Sequence, residues 1–104
     1  MIIDERTYTL HPGKIPEFLE LYQAEGYAVQ TSHLGEPVGW FWTEIGVLNQ
    51  IVHLWGYENM ADREKRRAGM AADPKWQAYL KKASPFFREM QNRILIPAPF
   101  SPIK

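Results

Sequence analysis

The spacing of apolar residues switches between two periods along this chain, and the order of the switches limits the available folds more than any other feature. Ile2 to Leu10 alternates and is rich in β-branched residues. A period of two predicts a strand with Ile2, Asp4, Arg6, Tyr8 and Leu10 on one face and Ile3, Glu5, Thr7 and Thr9 on the other. His11-Pro12-Gly13 ends it. From Lys14 to about Gln30 the period lengthens. Ile15, Phe18, Leu19 and Tyr22 keep the i, i+3, i+4, i+7 spacing of a buried helical stripe. Pro16 falls in the first turn, where its missing N–H loses no partner, and Gly26 weakens the second half.

Thr31 to Pro37 is turn-like. Val38 to Glu44 and Val47 to Tyr57 read as a second and a third strand, with Ile45-Gly46 as the tight turn of a hairpin. A two-residue turn sets Trp42 opposite Asn49, Trp40 opposite Ile51 and Val38 opposite His53. Asn59 starts the next helix, with Asp62 three residues on as an imperfect capping box, and this helix runs to Ala72. Asp73-Pro74 restarts it as an N-cap followed by proline at the first helical position. Trp76, Tyr79 and Leu80 then keep helical spacing. Ser84-Pro85 repeats the device in a short turn, and Arg88 to Ile96 is the last strand. Pro97, Pro99 and Pro102 hold the tail extended.

The resulting order, β-α-β-β-α-β, is that of the split βαβ arrangement: an α+β, ferredoxin-like fold with a four-stranded antiparallel sheet and helices on one face. A chain of 104 residues is expected to form one such domain over 1–104. The uncovered face of the sheet is expected to meet a twin sheet in a homodimer, because monomers avoid large exposed apolar patches.

Several blocks of residues together resemble the NIPSNAP family. They are Glu5-Arg6-Thr7-Tyr8-Thr9-Leu10 with Pro12-Gly13-Lys14, and Glu44-Ile45-Gly46 with Leu48-Asn49-Gln50-Ile51-Val52-His53-Leu54-Trp55. Tyr57, Arg63, Arg67, Asp73-Pro74-Lys75-Trp76 and the proline-rich tail from Pro97 to Pro102 complete the set. The resemblance implies the dimeric α/β-barrel group of ferredoxin-like folds. That group includes cofactorless monooxygenases, isomerases, cyclases and haem enzymes, and a shared fold transfers none of these chemistries.

Charge and composition narrow the functions. The formal net charge is zero, without the basic surplus of a nucleic-acid binder. Arg63, Lys65, Arg66 and Arg67 are interleaved with Asp62 and Glu64, and read as a solvated helix face. The absence of cysteine excludes disulfides, thiolate metal sites and cysteine nucleophiles, and agrees with a cytoplasmic location. The charged N-terminus offers no signal-peptide core, and no apolar run approaches the ~20 residues that span a membrane. No glycine-rich phosphate loop or nucleophile elbow is present, His11, His33 and His53 lack metal-ligand spacing, and neither a cofactor nor a metal is expected.

His53 is the sharpest candidate for chemistry. It shares a strand face with Asn49, Ile51, Trp55 and Tyr57, as Arg6 does with Tyr8. The ferredoxin-like order makes these strands central neighbours, so Arg6, Tyr8, His53, Trp55 and Tyr57 are expected around one pocket between sheet and helices. Histidine exchanges protons near neutral pH, and arginine holds anionic groups. The bland alternative makes His53 a hydrogen-bonded core residue and pairs Arg6 with a carboxylate such as Glu44. Trp40, Trp42 and Trp55 could line an aromatic pocket, although core or interface packing explains them more simply. Three functions fit: a dimer binding a small apolar or aromatic molecule, a cofactorless enzyme with monooxygenase- or isomerase-like acid/base chemistry through His53, Tyr8 and Arg6, and a protein-interaction scaffold.

Overall fold

A computed structural model describes all residues, 1–104. Strand β1 (Ile2–Leu10) leads into helix α1 (Ile15–Leu21), a single π turn at Tyr22–Gly26, and helix α2 (Tyr27–Leu34). Strands β2 (Gly39–Trp42) and β3 (Gln50–Tyr57) follow, then α3 (Met60–Ala71), α4 (Pro74–Ala83), a 3-10 turn (Ser84–Phe86) and β4 (Phe87–Leu95). The strands form one antiparallel sheet in the order β2-β3-β1-β4. This is the α+β, ferredoxin-like arrangement that the periodicities predict. No helix is long and apolar enough to cross a membrane.

The core forms between one face of the sheet and the helices. Tyr8, Leu10, Ile51, Trp55 and Tyr57 from the strands meet Phe18, Tyr22, Val29 and Leu34 from the first helical arm and Met70, Trp76 and Tyr79 from the second. Along β3 burial alternates residue by residue, as a half-covered sheet requires.

Local chemistry sets the element ends. Asn59 Oδ1 accepts the Asp62 N–H at 2.8 Å, and Asp62 Oδ2 accepts the Glu58 N–H at 3.0 Å, so a reciprocal cap closes the start of α3. Asp73 caps α4 through the Lys75 N–H, with Pro74 first in the helix. Ser84 does not cap the turn after α4. Its hydroxyl donates back to the Leu80 carbonyl, which also accepts the Ser84 backbone N–H at the end of α4.

Three sequence expectations need correction. The first helix does not fade near Gln30. A single π turn ends at Gly26, and the arm continues to Leu34. The hairpin connection is not the two-residue Ile45-Gly46 turn but runs from 43 to 49. Gly46 and Asn49 both take positive φ (125° and 63°), and Asn49 anchors the loop to the end of β1 by accepting from the Leu10 and Gly13 N–H groups. The register therefore moves by two, pairing Trp40 with His53 and Trp42 with Ile51. Because the side-chain period is two, a shift of two keeps every residue on its expected face. Finally, β4 begins one residue earlier than Arg88 and ends at Leu95.

Candidate functional site

A row of polar and aromatic side chains crosses all four strands on the helix-covered face. Antiparallel pairing sets Trp40 on β2 beside His53 on β3, His53 beside Arg6 on β1, and Arg6 beside Asn92 on β4. Tyr8 is the next residue of β1 on that face, its ring edge-on to His53 with centroids 4.9 Å apart. Trp40 stacks on His53 from the other side at 5.4 Å. Arg6, Tyr8 and His53 thus border one cavity of about 170 Å³. Helix residues close it, among them Phe18, Tyr22, Met70 and Tyr79.

Trp55 and Tyr57 do not border this cavity. Trp55 is fully buried one step along β3, and its indole N–H donates to His53 Nδ1 at 2.6 Å. Tyr57 lies a further step away, buried, with no partner for its hydroxyl. Its phenol is pushed up by burial, against the pull of Arg67. Of the other tryptophans, Trp40 lines the cavity and Trp42 is largely exposed on β2.

His53 is only 4% exposed, and its Nε2 has no hydrogen-bond partner. Burial, assisted by Arg6 and Arg67 and opposed by Asp4, pulls its pKa down from 6.5 to about 3. The ring is neutral at physiological pH. Trp Nε1–H can only donate, so Nδ1 must be the acceptor and Nε2 carries the proton. Both nitrogens are therefore unsuited to accept a proton near neutral pH.

The carboxylate paired with Arg6 is Asp4, not Glu44, which is exposed. Asp4 is fully buried, and its oxygens accept from Arg6 Nη1 (3.1 Å), Arg63 Nε (3.1 Å) and Asn92 Nδ2 (3.0 Å). Burial alone would raise its pKa. The Asn92 hydrogen bond and the Arg6 and Arg63 charges outweigh that and hold it below the ordinary value. Arg6 also donates through Nε to the Tyr8 hydroxyl at 2.6 Å, so the guanidinium is fixed at both ends. Arg6 is held more basic than usual, its burial outweighed by Tyr8 and Asp4.

The basic run on α3 is not uniformly solvated. Lys65 is exposed, and Arg66 pairs with Asp62 and reaches the Leu34 carbonyl. Arg63 turns inward to Asp4, and Arg67 lines the cavity. Asp4, Arg63, Arg67 and Gln30 are site residues that the sequence reading passed over. A signal for two of them exists: Arg63 and Arg67 precede the buried Met70 by seven and three residues, which puts all three on one helix face. Tyr22 donates to Gln30 Oε1 deep in the cavity wall, and burial raises the phenols of Tyr22 and Tyr79. The indole N–H of Trp40 acts on Tyr22 in the opposite sense without forming a hydrogen bond of ordinary geometry.

Comparison with known proteins decides the family. The NIPSNAP family model matches residues 3–102. The chain belongs to the NIPSNAP family. It is 34% identical over 104 residues to NipSnap homolog 2 of Danio rerio, covering 99% of this chain and 35% of that protein. It is 35% identical over 92 residues to the NipSnap homolog of Dictyostelium discoideum, covering 88% and 40%. The chain thus spans well under half the length of these NIPSNAP relatives. A solved NIPSNAP family protein of unknown function from Agrobacterium tumefaciens superposes with a TM-score of 0.97 at 44% identity, covering 100% of this chain and 94% of the other. An uncharacterised NIPSNAP-like domain protein from Burkholderia xenovorans gives 0.93 at 49% identity, covering 97% and 88%. A Nitrosomonas europaea protein described as a putative antibiotic biosynthesis monooxygenase gives 0.67 at 10% identity over 96% and 100%, a likeness of fold alone.

Proposed function

We propose that this NIPSNAP domain is a homodimer in which each subunit binds a small, mainly apolar or aromatic molecule between the sheet and the helices. The buried, unpartnered Nε2–H of His53, a residue that lines an aromatic cavity, carries the reading. A buried donor without a partner costs on the order of 1–3 kcal/mol, and a bound acceptor recovers that cost. The lining is predominantly aromatic and aliphatic with a few convergent polar groups, the usual make-up of a small-molecule site. Binding is favoured over acid/base catalysis because His53 is held neutral and its Nδ1 lone pair is engaged by Trp55.

The homodimer is supported by the other sheet face. There Phe41, Val52 and Leu54 form an apolar strip across β2 and β3, with Phe41 57% exposed. All four helices pack on the opposite side. Glu5 and Arg93 pair at 2.6 Å on the β1-β4 half of this face, leaving the strip as the part that gains most from a partner.

Titration of ¹⁵N-labelled protein with aromatic fragments tests the binding reading. Saturable shifts of the Trp40 indole and His53 ring signals are expected. Shifts confined to the Phe41 strip would show that the fragments bind the open sheet face and that the cavity is a packing feature.

A further inference from the structure

We infer that the occupant of the cavity is a small aromatic or apolar acid, bound as its anion with its oxygens toward His53 Nε2 and Arg67. This rests on the binding reading above and narrows it to a ligand class.

The inventory of polar atoms around the cavity is one-sided. His53 presents a proton on Nε2, because Trp55 occupies Nδ1 as a donor. Trp40 Nε1–H is a second buried donor without a partner. Arg6 and Arg67 contain no acceptor atom. The Tyr8 oxygen already accepts from Arg6, and the Gln30 carbonyl already accepts from Tyr22. No Asp or Glu lines the cavity. The acceptors that remain are neutral, the phenol oxygens of Tyr8, Tyr22 and Tyr79 and the second lone pair of the Gln30 carbonyl. A ligand that offers oxygens, rather than N–H groups, therefore satisfies the donors that are otherwise stranded.

Charge selects an anion over a neutral acceptor. Asp4 is the one carboxylate bound to this cluster, and it already faces both Arg6 and Arg63. Arg67 has no ion-pair partner and stands at the cavity wall. An ionised carboxylate beside Arg67 would form a charge-assisted hydrogen bond, the stronger kind. Size sets the rest. A cavity of about 170 Å³ is close to the roughly 150 Å³ engineered space known to take benzene, so one ring with a short substituent fits.

Four probes of similar shape separate the possibilities: benzoate, acetophenone, toluene and benzylamine, each titrated at pH 7 while the His53 and Trp40 ring nitrogens are followed. Benzoate is expected to bind tightest. Arg67→Gln is expected to weaken benzoate about tenfold or more, the scale of one lost charged hydrogen bond, and to leave toluene unchanged. The His53 nitrogen shifts are expected to report the Nε2-protonated tautomer. Acetophenone, toluene or benzylamine binding as tightly as benzoate overturns the ligand class while the cavity remains a binding site. So does an Nδ1-protonated ring, or an Arg67→Gln protein that holds benzoate undiminished. No saturable shift with any probe overturns the binding reading and this inference together.

Discussion

A histidine kept neutral by burial makes folding sensitive to acid, and the direction follows from its two pKa values. In the unfolded chain His53 titrates near 6.5, and in the folded protein near 3. Between these values the unfolded state binds a proton that the folded state refuses, so stability falls as pH drops through that window. The limiting slope is about 1.4 kcal/mol per pH unit. Asp4, whose pKa is lowered, adds stability above its ordinary value of 3.8 that is lost at still lower pH. Denaturant unfolding from pH 7 to pH 4 is expected to show declining stability in the wild type and a flatter profile in His53→Gln. Parallel profiles would mean that His53 protonates freely in the folded state. At this scale the sequence was partly legible. Strand alternation alone puts Arg6, Tyr8 and His53 on faces that meet once the strands pair. Arg67 and Asp4 were harder to read. A charged residue in a charged run gives no local sign of which way it turns, and Asp4 is explained only by Arg63 and Asn92, distant in sequence.

At the scale of elements, the arm from Ile15 to Leu34 shows how one residue lets a helix pass close to its neighbour. Gly26 is buried where the arm passes the second layer. A Cβ added there would lie 2.7 Å from Tyr22 Cδ1 and 2.8 Å from Tyr79 Cε1, both on buried rings. Gly26→Ala is therefore expected to destabilise by roughly 1–3 kcal/mol, the usual cost of overpacking. Thermal or denaturant unfolding checks it, and an unchanged midpoint would show that the rings yield freely. Gly26 reads in sequence as a weak helix former, which suggests an early end. Its use for close packing depends on Tyr79, which the local pattern does not contain. The hairpin is similar. Ile45-Gly46 looks like a turn, but Asn49 in the left-handed region, bound to the end of β1, sets the loop length. Strand faces survived this error because the register moved by an even number of residues, which is also why Trp40 stands beside His53.

For the whole molecule, the order of elements and the sheet topology were legible because both periods are strong and each break carries Pro, Gly or a capping side chain. What lies on the open sheet face was less legible, since its apolar strip and its Glu5–Arg93 pair emerge only when the strands are paired. Light scattering after size exclusion at micromolar concentration is expected to give a dimer. Phe41→Arg is expected to shift it toward monomer by placing a charge on the strip. A monomeric wild type would contradict the sheet-to-sheet assembly.

The central claim is that the space bounded by Arg6, Tyr8, His53 and Trp40 receives a ligand. The most direct measurement is a crystal structure of the protein saturated separately with benzoate and with toluene. The account predicts an ordered ring within that cavity, with the benzoate oxygens at hydrogen-bond distance from His53 Nε2. A cavity holding only water in both crystals, or rings ordered solely on the open sheet face, would contradict it.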